Sequence, residues 1–539
     1  MEGKIDSELL LALDVPEKER IKTDDLNVGY SDGVWELIVR YSHNIVTEVT
    51  ELNGSIKELL GGYGLVRIPR ENIDRLAETD GVLFIEKPKS LQYELLYSKI
   101  ISCMEPDVNR NGNGGEGVYV AVIDSGIDYF HPDFIVDGKT RIAVIYDEVT
   151  GRVYSREDID NAIAENNRSL IMDKSGHGTS VAGIAAGNNG VAFKSDIIVV
   201  KLGEDNFFST ARLMEGVDFA LKFAMENNRP IAINISIGNN YGAHDGTSLF
   251  ETYIDYVTEI WKNNVIVGAG NEADKRIHTM VNDRRKMCEF IVGNYEESIA
   301  IQIWKRYWDD FYIEIENPSG ERYVVPKGEG IYEFKSTDEL IYVYVGTATP
   351  YSYNSEILIQ IIPDNVYIKN GIWQIMFYPD SIKDGKIDLW ISGRTMLTGQ
   401  TGFTSAVPET TLTIPSTSYR VITVGAYNGR TFSYAPFSGR GNTKNLVTVK
   451  PDISAPGVDI SAPYPGGGYR LASGTSVAAP FVTGAAAILM EWGIVKGNDF
   501  FMYGERLKAK LIKDSIQNNG QNIWPNRLLG WGLLCLKII

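Results

Sequence analysis

Between Gly117 and Asn271 the chain alternates short apolar runs with segments of helical spacing. The runs are VYVAVID (118–124), DIIVVKL (196–202), PIAINISIG (230–238) and VIVGAGN (265–271). Helical stretches follow His177, extend from Ala211 to Asn227 and pass through Trp261. Runs that are apolar at nearly every position need cover on both faces, and strands joined through helices pair in parallel. This region therefore specifies a doubly wound α/β sheet. The pattern resumes at YRVITVGAYN (419–428) and ends in helices. Ligands in such sheets sit at the carboxyl ends of strands, and each of these strands runs into a polar or Gly-rich turn.

Two further regions flank and interrupt that pattern. VWELIVRY (34–41) alternates as a strand, and SIKELL and LVRIP within 55–69 read as a hairpin across GGYG. Helices are expected at Asn44–Leu52 and Glu71–Thr79, with a last strand VLFIEKP (82–88), making an α+β βαββαβ unit. From about 276 to 404 short strands recur with turns between them: 299–304, 311–315, 340–345, 357–361, 373–377 and 387–390. They specify an inserted all-β domain, a sandwich or jelly roll, with its own core docked on the α/β body. The domain limits are 1–92, 93–275 with 405–539, and 276–404.

Composition bounds the partners. With 44% hydrophobic and 23% charged residues the chain has an ordinary globular balance, and no apolar stretch is expected to span a membrane. A net charge of −18 repels phosphate backbones and anionic lipid surfaces, so nucleic acid and membrane insertion are excluded as expectations. Cys103, Cys288 and Cys535 have no metal-ligand spacing and an odd count, which fits a reducing or enclosed compartment with no metal or cofactor. The apolar run Leu9–Leu13 is too short for an export signal, so synthesis in the cytoplasm is expected.

Three Gly-rich segments carry chemistry: AVIDSGID (121–128), SGHGTSVAGIAAG (175–187) and ASGTSVAAP (472–480). In order they supply a carboxylate at a strand end, an imidazole at a helix start, and a hydroxyl at a second helix start. A carboxylate can lock the imidazole tautomer, and a nucleophile at a helix N-terminus lies beside N–H groups that stabilise an oxyanion. Asn271, closing GAGN, could donate an amide N–H to the same oxyanion. Asp128 and Asp133 read as turn and loop residues, and His131 as a loop residue near the site. His43, His244 and His278 lack the motif. Glu272 either edges a side-chain pocket or is a solvated rim charge.

At these residues the chain resembles the subtilisin-like serine proteases, the subtilases, over about 100–275 and 405–539. The resemblance implies that Asp124 orients, His177 is general base and acid, Ser476 is the nucleophile and Asn271 completes the oxyanion hole. It implies that Ser236-Ile237-Gly238 pairs with substrate backbone, with Gly268-Ala269-Gly270 also lining the substrate. The βαββαβ unit resembles the family's propeptide, to be cut within 88–98, at Gln92–Tyr93. Many secreted subtilases carry a calcium-binding loop where this chain runs AAGNNGVAFKSD; that loop is absent from the sequence. An intact propeptide, the missing loop and a β insertion before Ser476 resemble the Csp subtilases of clostridial spores. That resemblance implies limited proteolysis of a cortex-hydrolase zymogen in germination, packaging in the spore, and a cleaved propeptide that stays bound. The alternatives are a catalytically silent signalling subtilase and an intracellular housekeeping enzyme. All three triad residues are present, and the long insertion does not suit general turnover.

Overall fold

The computed structural model describes residues 3–20, 23–93, 112–203, 208–282, 285–393, 397–441, 449–517 and 523–537. They form two compact units, one of Met1–Ser90, Asn240–Leu249 and Asp274–Thr411, the other of Leu91–Asn239, Phe250–Ala273 and Leu412–Ile539. Residues 94–98 of the expected processing window, and Cys103, lie outside the described residues.

The second unit is built on eight strands in the order Arg152–Ser155, Ile142–Asp147, Asp196–Lys201, Tyr119–Asp124, Ile231–Ile235, Asn263–Gly268, Ile422–Tyr427 and Ile453–Pro456. All pairs are parallel except the first, as the unbroken apolar runs require. Asp196–Lys201 lies on one side of Tyr119–Asp124 and Ile231–Ile235 on the other, so the winding direction reverses at the strand that ends in Asp124. A crevice opens at the carboxyl ends of strands at such a reversal. The helices His177–Ala186 and Thr475–Met490 pack together in the core on one face of this sheet.

Thr475–Met490 corrects one expectation from composition. Together with the turn that follows, Thr475–Val495 is long and apolar enough to cross a membrane by length and composition, yet 89% of its most apolar window is buried inside the fold. Its lack of a polar face follows from that position: every residue from Thr475 to Met490 is covered.

In the first unit, Val34–Tyr41 is central, flanked by Tyr63–Pro69 and Val82–Glu86, with Ser55–Leu59 and Tyr30–Ser31 outside. The strands and helices of this α+β sheet match the alternation read along 34–88. The helix Ser7–Asp14, capped by Asp6 accepting from the Glu8 and Leu9 N–H groups, was not anticipated.

Residues 276–404 form two antiparallel sheets around one core that includes Ile301, Ile303, Phe290, Trp373 and Leu389. On the six-stranded sheet, alternation sends Ile357, Ile359 and Ile361 into that core, while Leu358 and Ile362 face the other way. There they meet Tyr342, Tyr344, Leu9, Leu11 and Trp35 in a second shared core. A sheet covered on both faces explains why 357–362 is apolar at every position but Gln360. The insertion was expected to dock on the α/β body; what covers this face is the N-terminal domain, through the helix the sequence did not announce.

Candidate active site

Asp124 is the last residue of its strand, where the backbone turns away and leaves the carboxylate inside the crevice, 1% exposed. The helix starting at His177 reaches it because Gly178 has no side chain: a Cβ there would lie 2.2 Å from the Gly126 carbonyl oxygen. The result is a short contact, with His177 Nδ1 2.8 Å from Asp124 Oδ1 and 2.9 Å from Oδ2. Asp124 Oδ1 also accepts the Ser125 N–H at 2.7 Å. Burial pulls His177 toward its neutral form, but the charge and hydrogen bond of Asp124, with the charge of Asp173, outweigh it and hold the imidazole above its ordinary value.

Ser476 lies in the first turn of its helix, 1% exposed. Gly474 precedes that turn with φ +150, and a Cβ there would sit 3.0 Å from Ser476 Oγ and 3.1 Å from Asn271 Nδ2. Hydroxyl and amide therefore flank one small space that only glycine leaves open. Thr475 fixes the amide's orientation: its N–H (2.8 Å) and its hydroxyl (3.2 Å) both donate to Asn271 Oδ1, so Nδ2 is the end turned to that space. Gly270 N–H donates to Thr475 Oγ1 at 3.0 Å.

Pro480 has its own part here. Lacking an N–H, it leaves the Ser476 carbonyl without the usual helical donor, and the Ser236 hydroxyl donates to that carbonyl at 3.0 Å. Ser236 is held in turn by Asn234 Nδ2 (2.7 Å), and Asn234 Oδ1 accepts from Thr483 on the same helix (2.9 Å). The helix that carries Ser476 and the edge segment 236–238 are thus one hydrogen-bonded assembly.

That edge is occupied. Ser90–Tyr93 forms a strand between Phe208–Ser209 and Ile237–Gly238, with Tyr93 opposite Ile237 and Gln92 opposite Gly238 in antiparallel register. The backbone of the expected processing segment lies in the cleft as β-addition demands. Behind it, Ala269 N–H donates to Val424 O (2.9 Å) and Gly270 O accepts from Gly439 (2.8 Å), while Gly268 is packed against Thr475. Gly268–Gly270 thus contribute shape, their backbone groups being engaged within the chain.

Reading motifs alone missed Asp173, Thr475 and Pro480 as parts of the site; an Asp just ahead of a helix start, able to accept from its first N–H groups, was the available signal for Asp173. His131 is a buried loop residue, its Nδ1 accepting from Asp133 N–H (3.1 Å) and its Nε2 2.9 Å from Gly468 O. His278 lies between Val407 O and Asp388, and His244 stacks on Trp390 at 4.2 Å. Glu272 is half-buried beside Asn271. At the shortened loop, Arg141 donates to the carbonyls of Asp133, Ala186 and Ser195, and Asn188 to those of Pro132 and Ile135. Asn189 Nδ2 donates to Asp133 Oδ1 at 2.9 Å. Protein donors converge on these oxygens.

The family model for the Csp protease B prodomain matches residues 3–89, and that of the subtilase family matches 115–328 and 398–532. The chain is 22% identical over 532 residues to the minor extracellular protease Vpr of Bacillus subtilis, covering 89% of this chain and 60% of Vpr. It is 29% identical over 190 residues to a subtilisin-like protease of Coccidioides posadasii, covering 32% and 42%. It therefore spans less than two thirds of the length of these curated relatives. Among solved structures it is similar to the Clostridium perfringens CspB protease, with TM-score 0.76 and 36% identity over 80% of this chain and 94% of that one. Fervidolysin of Fervidobacterium pennivorans shares the fold, with TM-score 0.50 and 17% identity over 94% of this chain and 60% of that one. With prodomain and catalytic core both matched, the chain belongs to the subtilase family.

Proposed function

We propose that this chain is a serine endopeptidase that first cuts its own propeptide and then performs limited proteolysis on another protein. His177, oriented by Asp124, takes the proton of Ser476 Oγ as it attacks the scissile carbonyl, then returns it to the leaving amine. Asn271 Nδ2 and the N–H groups at the start of the Ser476 helix stabilise the oxyanion. The observation that carries this proposal is the strand Ser90–Tyr93 paired to Ile237–Gly238, a peptide bound where a substrate belongs. We place the processing bond at Gln92–Tyr93, whose residues pair with Gly238 and Ile237; sequencing of the new N-terminus tests that bond.

Similarity to the CspB protease and its prodomain supports a narrower proposal: activation of a cortex-lytic zymogen during spore germination, by an enzyme made in the cytoplasm and packaged in the spore, with its cut propeptide retained. Labelling with a fluorophosphonate tests the chemistry. Wild type should be labelled and Ser476→Ala should not; a wild type that stays unlabelled at pH 8 after propeptide removal would overturn it.

A further inference from the structure

A second carboxylate lies beneath the histidine. Asp173 is 3% exposed and takes no part in the mechanism above. Its Oδ1 accepts from the Ser125 hydroxyl (2.7 Å), the Gly176 N–H (2.9 Å) and the Ser175 hydroxyl (3.3 Å). Its Oδ2 accepts from the Thr179 N–H (2.8 Å) and hydroxyl (2.6 Å). Ser125 directly follows Asp124, and its hydroxyl oxygen accepts the N–H of Gly178, the residue after His177, at 2.9 Å. The two turns that carry the orienting acid and the imidazole are therefore tied to each other through Ser125 and Asp173.

We propose that Asp173 is a positioning residue of the triad, clamping the strand end that carries Asp124 to the first turn of the helix that carries His177; this assignment rests on the protease function proposed above. An ordinary helix cap needs one or two N–H donors. Here two N–H donors come from the helix start and its N-cap, Thr179 and Gly176, and three hydroxyls join them, those of Thr179, Ser175 and Ser125. The bond from Ser125 has no capping role. Removing it would leave the helix capped but would cut one of the ties between the two turns, leaving Asp124–His177, Gly178 N–H to Ser125 and Asp128 N–H to Thr179 Oγ1 (2.9 Å).

The charged groups around the ring are few. Asp124 and Asp173 act on His177 directly. The buried Lys201 is the register partner of Asp124 and passes Gly126 on the same turn. Neutralising Asp173 therefore removes a negative charge that, with that of Asp124, favours the imidazolium.

The test is Asp173→Asn, which preserves size but loses the charge and acceptor capacity on one side. Two readouts are followed across pH 5–9: cleavage of a peptide ester, and the imidazole signals of the full chain labelled with ¹³C-histidine. Expected are a kcat roughly 10–100-fold lower with KM within about twofold, and the His177 titration and the acid limb of kcat/KM both moved to lower pH. A merely structural cap would lower the melting temperature and leave titration and pH profile in place, and that result overturns the proposal. Ser125→Ala, which keeps the charge and cuts the bridge, serves where Asp173→Asn does not fold. It should lower kcat about tenfold with the titration unmoved, and a wild-type kcat overturns the clamp. Fluorophosphonate labelling of wild type separates the two failures: an unlabelled wild type refutes the protease, whereas a labelled wild type with an unchanged Asp173→Asn refutes only this role.

Discussion

The two units bury carboxylates in opposite ways. In the α/β unit, Asp124 and Asp173 are surrounded by N–H, hydroxyl and imidazole donors whose places are set by strand ends and helix starts. In the N-terminal unit, Asp6, Glu8, Glu86 and Glu356 share two buried lysines, Lys87 and Lys89. Glu356 also accepts from Ser7 and Gln302, and Glu86 from the Leu249 N–H at 2.9 Å. Four acids against two bases leave an excess of negative charge in a dry place. Burial pushes Glu86 up to about 7 and Glu356 up to about 8, and raises Glu8 despite Lys89 and Lys87. Fixed donors hold an acid ready for work, whereas scarce counterions turn a group of acids into a proton store.

The largest effect should come from closing the space between Ser476 and Asn271. Gly474→Ala puts a methyl group against both atoms and should slow self-processing by roughly 10⁴-fold or more, followed as release of the propeptide fragment. In the other unit, Lys89→Met leaves Glu86 facing only distant charge and should cost about 3–5 kcal/mol of unfolding free energy, read by denaturant titration. Asn271→Ala should cost about 3–4 kcal/mol of transition-state stabilisation with the melting temperature nearly unchanged, since its loss falls on the oxyanion.

Acidity sharpens the contrast further. Glu86 and Glu356 hold protons in the folded chain at pH values where the unfolded chain, near 4.5, has released them. The folded state thus binds more protons between about 4.5 and 8, and its stability should fall as pH rises through that window, by on the order of a few kcal/mol, then level off. Glu356→Gln should flatten the curve of melting temperature against pH; a melting temperature that rises from pH 5 to 8 would refute the proton store. Catalysis runs the other way. His177 is held above its ordinary value, so cleavage should grow as pH climbs past 6.5 and the base form appears. The smallest effect is expected from a chelator, which should leave the melting temperature within a few degrees. Arg141, Asn188 and Asn189 already serve the oxygens at the shortened loop.

Much of the α/β unit was legible because a strand covered on both faces must be apolar, and Asp124, His177 and Ser476 sit beside glycines that a close approach demands. Ile142–Asp147 was not legible because its connection to Tyr119–Asp124 carries a short 3₁₀ turn and a two-residue strand pair but no α-helix to mark it. Ser7–Asp14 was legible only as an apolar run, LLLAL, since its partners Leu358 and Ile362 lie more than three hundred residues away. Asp173 was hidden for a related reason: its task is defined by Ser125, which no local pattern connects to it.

Self-cleavage reads out Ser476 and the strand Ser90–Tyr93 together. Purified wild type and Ser476→Ala are incubated at pH 8 and their N-termini sequenced. Wild type should show a new N-terminus at Tyr93 or just beyond it, and Ser476→Ala should stay an intact chain. A wild type that stays whole, or a Ser476→Ala chain cut at the same bond, would contradict it.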